Sequence, residues 1–142
     1  MFDEIIRDVQ NITEGENCFY NKLVYTVSDT LNIVERRLVS VSHSNSGKTI
    51  FCRLIDASSK LPVEIARVVP QGQSRDVIFI GIQDLFLEYF ETKEQAKVCL
   101  KNRLLRKAKN IEEKRVTLRD EIKQLDINIK ELKTKANKIT RQ

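Results

Sequence analysis

Tryptophan is missing from this chain, histidine occurs once, proline twice and glycine four times in 142 residues. Few aromatics and no tryptophan point to a small core and long helices. The one histidine, His43, lies in the polar stretch SVSHSNSGK and reads as solvated. A Ser-His-Asp set cannot be built around it, and no paired carboxylates stand out, so the chain reads as a non-enzyme. Cysteine is scarce, odd in number and widely spaced, at Cys18, Cys52 and Cys99, with no CxxC pair. That spacing argues against a disulfide framework or a zinc site and for reduced thiols. No apolar run reaches the roughly 18 residues of a membrane span. The N-terminal stretch MFDEIIRDVQ mixes acids into its apolar residues and lacks the basic start and apolar run of a signal peptide. These absences lead us to expect a cytoplasmic protein, with the nucleus as a second setting, and neither cofactor, ATP nor metal.

What the chain does have is a seam. Leu104, Ala108, Ile111, Arg115, Leu118, Ile122, Leu125, Ile129, Leu132, Ala136 and Ile139 are spaced alternately four and three apart. Arg115 alone breaks the apolar series. A mean spacing of 3.5 keeps one stripe of a helix facing a partner helix, the mark of a coiled coil. Arg115 reads either as a snorkelling side chain or as a polar position that sets register against an acid. The seam segment is also basic. Residues 101–142 hold 14 Lys and Arg against 6 acids, whereas residues 1–100 hold 11 against 14. Such a tail is either a solvated helix surface or a site for an acidic partner or nucleic acid.

The first 41 residues carry a similar pattern. Phe2, Ile5, Val9 and Ile12 form one stripe, and Tyr20, Val24, Val27, Leu31, Val34, Leu38 and Val41 continue it in four-three spacing after Gly15. The spacing predicts a helix over 2–41, although many of its seam residues are β-branched and poor intrinsic helix formers. Ser42–Lys48 is polar and reads as a break. Four strands in two hairpins are expected over 49–90: Thr49–Asp56, Leu61–Val69, Asp76–Ile82 and Leu85–Phe90, with turns at Ala57–Lys60 and Pro70–Ser74. Thr92-Lys93-Glu94-Gln95 fits a capping box and starts a helix over 92–140, about 70 Å long. The expected fold is α+β, a long antiparallel two-helix coiled coil with two hairpins between the helices. Four strands leave open edges, which asks for other subunits to complete the sheet.

This layout resembles the α class of the prefoldin family. The residues that carry the resemblance are Val68-Val69-Pro70, Val77 to Gly81, Phe86-Leu87-Glu88 and Glu94-Gln95-Ala96-Lys97. VVPQGQSRDVIFIG followed by LFLEYFETKEQA is especially similar to the ubiquitously-expressed-transcript branch. The family's Gly-x-Gly bend falls here on Ile82 and Asp84, with Gly81 one residue earlier. The resemblance implies a hexameric co-chaperone subunit, assembled with β-class subunits and another α-class subunit. It implies capture of unfolded clients at the coiled-coil tips and delivery to the cytosolic chaperonin.

On that reading the client-contacting tips are Phe2, Ile5, Ile6, Leu132 and Ile139. The oligomer platform is Ile50, Cys52, Leu54, Val77, Ile78, Ile80, Phe86 and Leu87. The seam pairs Val24, Val27, Leu31, Val34 and Leu38 with Leu104, Ile111, Leu118, Ile122, Leu125 and Ile129. Two alternatives stand beside it: a prefoldin-like scaffold of a larger assembly or transcription machine, and a basic coiled-coil protein that binds nucleic acid through 101–141. Gly47-Lys48-Thr49 echoes the end of a phosphate loop but has Ser42 where a glycine is needed and a strand where a helix should follow.

Overall fold

A computed structural model describes residues 2–45 and 49–141. The chain divides into two units, residues 1–101 and residues 102–142. The first holds a short helix α1 (Asp3–Asn11) and strands β1 (Asn17–Val27), β2 (Ile33–His43) and β3 (Ile50–Asp56). A one-turn helix α2 (Val63–Ala66), strand β4 (Val77–Gly81), helix α3 (Ile82–Glu88) and the two-residue strand β5 (Tyr89–Phe90) follow. Helix α4 (Lys93–Arg141) begins in the first unit and makes up all of the second that is described.

The five strands form one curled antiparallel sheet in the order β4-β3-β2-β1-β5. The expected two-helix coiled coil is therefore corrected. In place of a helix over 2–41 stand the nine residues of α1 and a hairpin of two eleven-residue strands. Val24 and Val27 lie in β1, Val34 and Leu38 in β2, and Leu31 in the turn between them with a positive φ of 60°. None of these five can form a helical seam with α4. Within 49–90 the two expected hairpins are also corrected. Thr49–Asp56 and Asp76–Ile82 do become β3 and β4, but Leu61–Val69 contains α2 and Leu85–Phe90 is mostly α3. The Pro70–Ser74 turn is present. Gly47 and Lys48 of the rejected phosphate-loop motif lie outside the described residues.

The sheet buries both faces, and two bulges explain the spacing of its core residues. Successive side chains on a strand alternate between faces. One extra residue in β1 falls between Phe19 and Lys22, which pair with Ser40 and Leu38. Another in β2 falls between Leu38 and Ser40, which pair with Leu54 and Arg53. Such an insertion resets the alternation. Leu38 and Val41 therefore share a face although they are three apart. They join Tyr20, Val24, Cys52, Leu54 and Tyr89 in one core, covered by Phe2 just before α1, Ile5 of α1 and Leu85 of α3. Val39 faces the other side and packs with Ile55, Val77 and Ala66 of α2.

The capping box at the start of α4 has both of its bonds. The Gln95 amide donates to Thr92 Oγ1 at 3.2 Å, and the Thr92 amide donates to Gln95 Oε1 at 3.2 Å. Ala96, one turn in, is fully buried. From residue 101 to residue 141 every position is exposed.

Candidate interaction surface

Helix α4 runs unbroken for 49 residues, about 70 Å at 1.5 Å per residue. Assigning Leu104 to heptad position d makes Ile111, Leu118, Leu125, Leu132 and Ile139 the later d positions. Ala108, Arg115, Ile122, Ile129 and Ala136 then occupy a. Every large apolar residue of this seam is exposed, from 46% at Leu104 to 72% at Ile139. A helix whose stripe sheds half its surface to water gains little from that stripe by itself. Each Leu or Ile returns on the order of 1 kcal/mol if a partner covers the exposed half.

The flanking positions set the electrostatics. Lys107, Lys114, Glu121, Asn128 and Lys135 fall at g, and Leu105, Glu112, Arg119, Asp126, Lys133 and Thr140 at e. Arg115, inside the seam, pairs with Glu112 one turn earlier. Its charge is thus met on its own helix. Residues 101–119 hold eight Lys and Arg against two Glu, so this first half carries most of the segment's positive charge.

The residues expected at client-contacting tips separate. Phe2 and Ile5 are 1% and 0% exposed and belong to the core, where the Phe2 ring lies 5.9 Å from that of Phe86. Ile6 is exposed, as are Leu132 and Ile139 on α4. Of the expected platform residues, Cys52, Leu54 and Val77 are buried within the chain's own sheet, and Ile50, Ile78, Ile80 and Phe86 pack against its core. Leu87 is exposed. Ile111, Leu118, Ile122, Leu125 and Ile129 share the α4 seam with Leu104, which is the one group of expected site residues that the structure presents together on a surface.

Sequence reasoning missed a polar cluster under the second sheet face. Arg53 on β3 is buried, and its guanidinium sits over the rings of Phe51 and Phe79 at 4.9 and 5.4 Å. Its Nε donates to the Val69 carbonyl at 2.8 Å and its Nη1 to Ser42 Oγ at 2.6 Å. Burial pulls its pKa down. The arrangement is a strut tying β3 to the segment after α2. Its sequence signal was the alternation Phe51, Arg53, Ile55 on one strand face, where the odd member is polar. A cleft of about 510 Å³ beside Asp56, Lys60, Arg75 and Asp76 mixes both charge signs. Arg36 reaches toward it, with Nε 3.6 Å from Asp56 Oδ1, close enough for an ion pair but too long for a hydrogen bond. Among the described residues no group of His, Cys, Asp and Glu could hold a metal ion. No described helix is long and apolar enough to cross a membrane.

Neither a family model, nor a curated protein, nor a solved structure matches this chain.

Proposed function

We propose that this chain is a non-catalytic assembly module whose helix α4 forms one strand of a coiled coil with a helix from another chain. One observation carries the reading: an exposed four-three seam runs from Leu104 to Ile139 along a single continuous helix. Isolated helices are marginal in water and draw most of their stability from packing of an apolar stripe. Covering ten apolar seam positions supplies that packing. The co-chaperone expectation drew on a helix–hairpins–helix layout and on motif residues over 66–100, and the layout is not the one observed. One chain supplies five strands rather than four, and the sheet still ends in two edges, β4 and the two-residue β5. Cytoplasm or nucleus remains our proposed setting, in keeping with three unpaired cysteines.

The test is amide hydrogen exchange across α4, read by mass spectrometry. The full chain is measured with and without a designed helix that has Ile at a, Leu at d and acids facing Lys107, Lys114 and Arg119. A paired helix slows exchange over 104–139 by about 100-fold or more. Replacing Ile122, Leu125 and Ile129 by Asp removes that slowing and leaves the sheet amides unchanged. Fast exchange over 104–139 in the intact chain, both alone at high concentration and with the designed helix, sinks the proposal.

A further inference from the structure

We infer that the strand facing α4 is the same helix of a second copy, running parallel and in register. This rests on the coiled-coil reading above and adds the partner's identity and direction. The seam itself points to two parallel strands. Ile122 and Ile129 are the two large apolar residues at a, while Leu104, Leu118, Leu125 and Leu132 hold four of the six d positions, with Ile111 and Ile139 at the other two. Ile at a with Leu at d favours parallel dimers, whereas Leu at a with Ile at d favours more strands.

Arg115 sets the register. A single polar residue at a selects alignment at a cost in stability. In register, Arg115 of both copies shares one layer. A slip of one heptad puts each Arg115 against Ala108 or Ile122 and spoils two layers instead. Its pairing with Glu112 also matters. In the parallel arrangement position g of one helix meets the following e of the other, so Glu112 faces Lys107 of the second copy. Glu112 then lies between two cations, one from each chain.

The flanking charges separate the two directions. Parallel pairing makes Lys107–Glu112 attractive, with Lys114–Arg119 and Glu121–Asp126 repulsive, each twice per dimer. Antiparallel pairing with full overlap matches g with g and e with e. It sets Lys107 against Lys135, Glu112 against Asp126, Glu121 against Glu121 and Arg119 against Arg119. Every charged pair is then of like sign. Parallel pairing is the better of the two for a second copy, yet it keeps net repulsion. Dimerisation of this chain therefore strengthens with added salt, the reverse of a dimer held by ion pairs.

Sedimentation equilibrium of the full chain tests this, from low to roughly half-molar salt. The expected result is a monomer–dimer equilibrium whose dissociation constant falls as salt rises. The variant Arg119→Glu with Glu121→Lys leaves the net charge unchanged and turns both repulsive parallel pairs attractive. It tightens the parallel dimer about tenfold. In the antiparallel arrangement the same variant exchanges like pairs for like pairs and changes little. A dimer indifferent to the double variant overturns the parallel direction, and a trimer or larger species overturns the two-strand assignment. A chain that stays monomeric at high micromolar concentration in high salt overturns the second-copy inference. In that last case, slowed exchange with the designed helix leaves the coiled-coil reading standing, and fast exchange removes both.

Discussion

Cys52 shows how a residue's place in the sheet decides its chemistry. It is fully buried at the centre of β3, and burial pushes its thiol up to about 12 from an ordinary value of 9.0. The thiolate is the reactive form, so native Cys52 is inert at neutral pH. Cys18 and Cys99 are partly exposed and take up a maleimide first, with Cys52 labelled after unfolding. Mass spectrometry of peptides from pulse-labelled chain reads this directly. The raised pKa also carries a stability consequence. Between pH 9 and 12 the unfolded thiol ionises while the native one keeps its proton. The unfolded state then binds fewer protons, and stability falls as pH rises through that window. The slope from this group approaches about 1.4 kcal/mol per pH unit. Burial and Asp8 raise Tyr20 in the same sense, and it adds to the loss at higher pH. Urea unfolding of Cys52→Ala at pH 8, 9 and 10 gives a lower baseline from the cavity but a shallower decline above pH 9.

At the level of elements, what was legible follows local chemistry. Both hydrogen bonds of the capping box at Thr92 and Gln95 were readable from four letters, because each partner lies within one turn of the other. Replacing Thr92 by Ala removes the acceptor for the Gln95 amide and costs about 1 kcal/mol. A urea melt followed by circular dichroism, with faster exchange of the amides just after residue 93, checks it. A melt and exchange rates equal to the unsubstituted chain would place the cap elsewhere. The strand β3 was legible from its alternation, and α4 from its seam.

The stretch 17–43 was not legible by the same pattern, for a physical reason. Residues four apart share a face in a strand as they do in a helix, so Tyr20 and Val24, or Val34 and Leu38, fit both. The intervening three-residue steps should have exposed the difference. In β2 the bulge at Val39 returns Val41 to the face of Leu38 and restores a heptad-like spacing. The surviving signal was the crowd of β-branched residues, which suit a pleated strand better than a helix. The opposite error fell on 82–90. Ile82, Leu85, Phe86 and Tyr89 recur at helical intervals, and Ile82, Leu85 and Phe86 pack into one core from α3. Aromatic and aliphatic content had argued for a strand there, and the interval was the better guide. The candidate surface was half legible: its α4 seam stood in the sequence, while its supposed partner strand over 2–41 did not exist.

For the whole molecule, the distribution of burial separates two sources of stability. Among the described residues, all the fully or nearly buried apolar ones lie between Phe2 and Ala96. The unit over 1–101 thus holds a two-faced core of its own, and every described residue over 102–141 is exposed. Folding of the first unit is intramolecular and independent of concentration. On the proposed pairing with a second copy, ordering of the second unit depends on its partner, and its melting temperature rises with chain concentration by mass action. Two transitions follow, separable by diluting the sample. Ending the chain after Lys101 keeps the capping box and Ala96 and removes the seam. The shortened chain should be monomeric and unfold in urea within about 0.5 kcal/mol of the sheet transition of the full chain. Near-ultraviolet dichroism of the tyrosines follows that transition, since all three tyrosines lie in β1 and β5. A large loss of sheet stability on truncation would mean that residues beyond 101 help hold the sheet, and the division of labour argued from burial would fail.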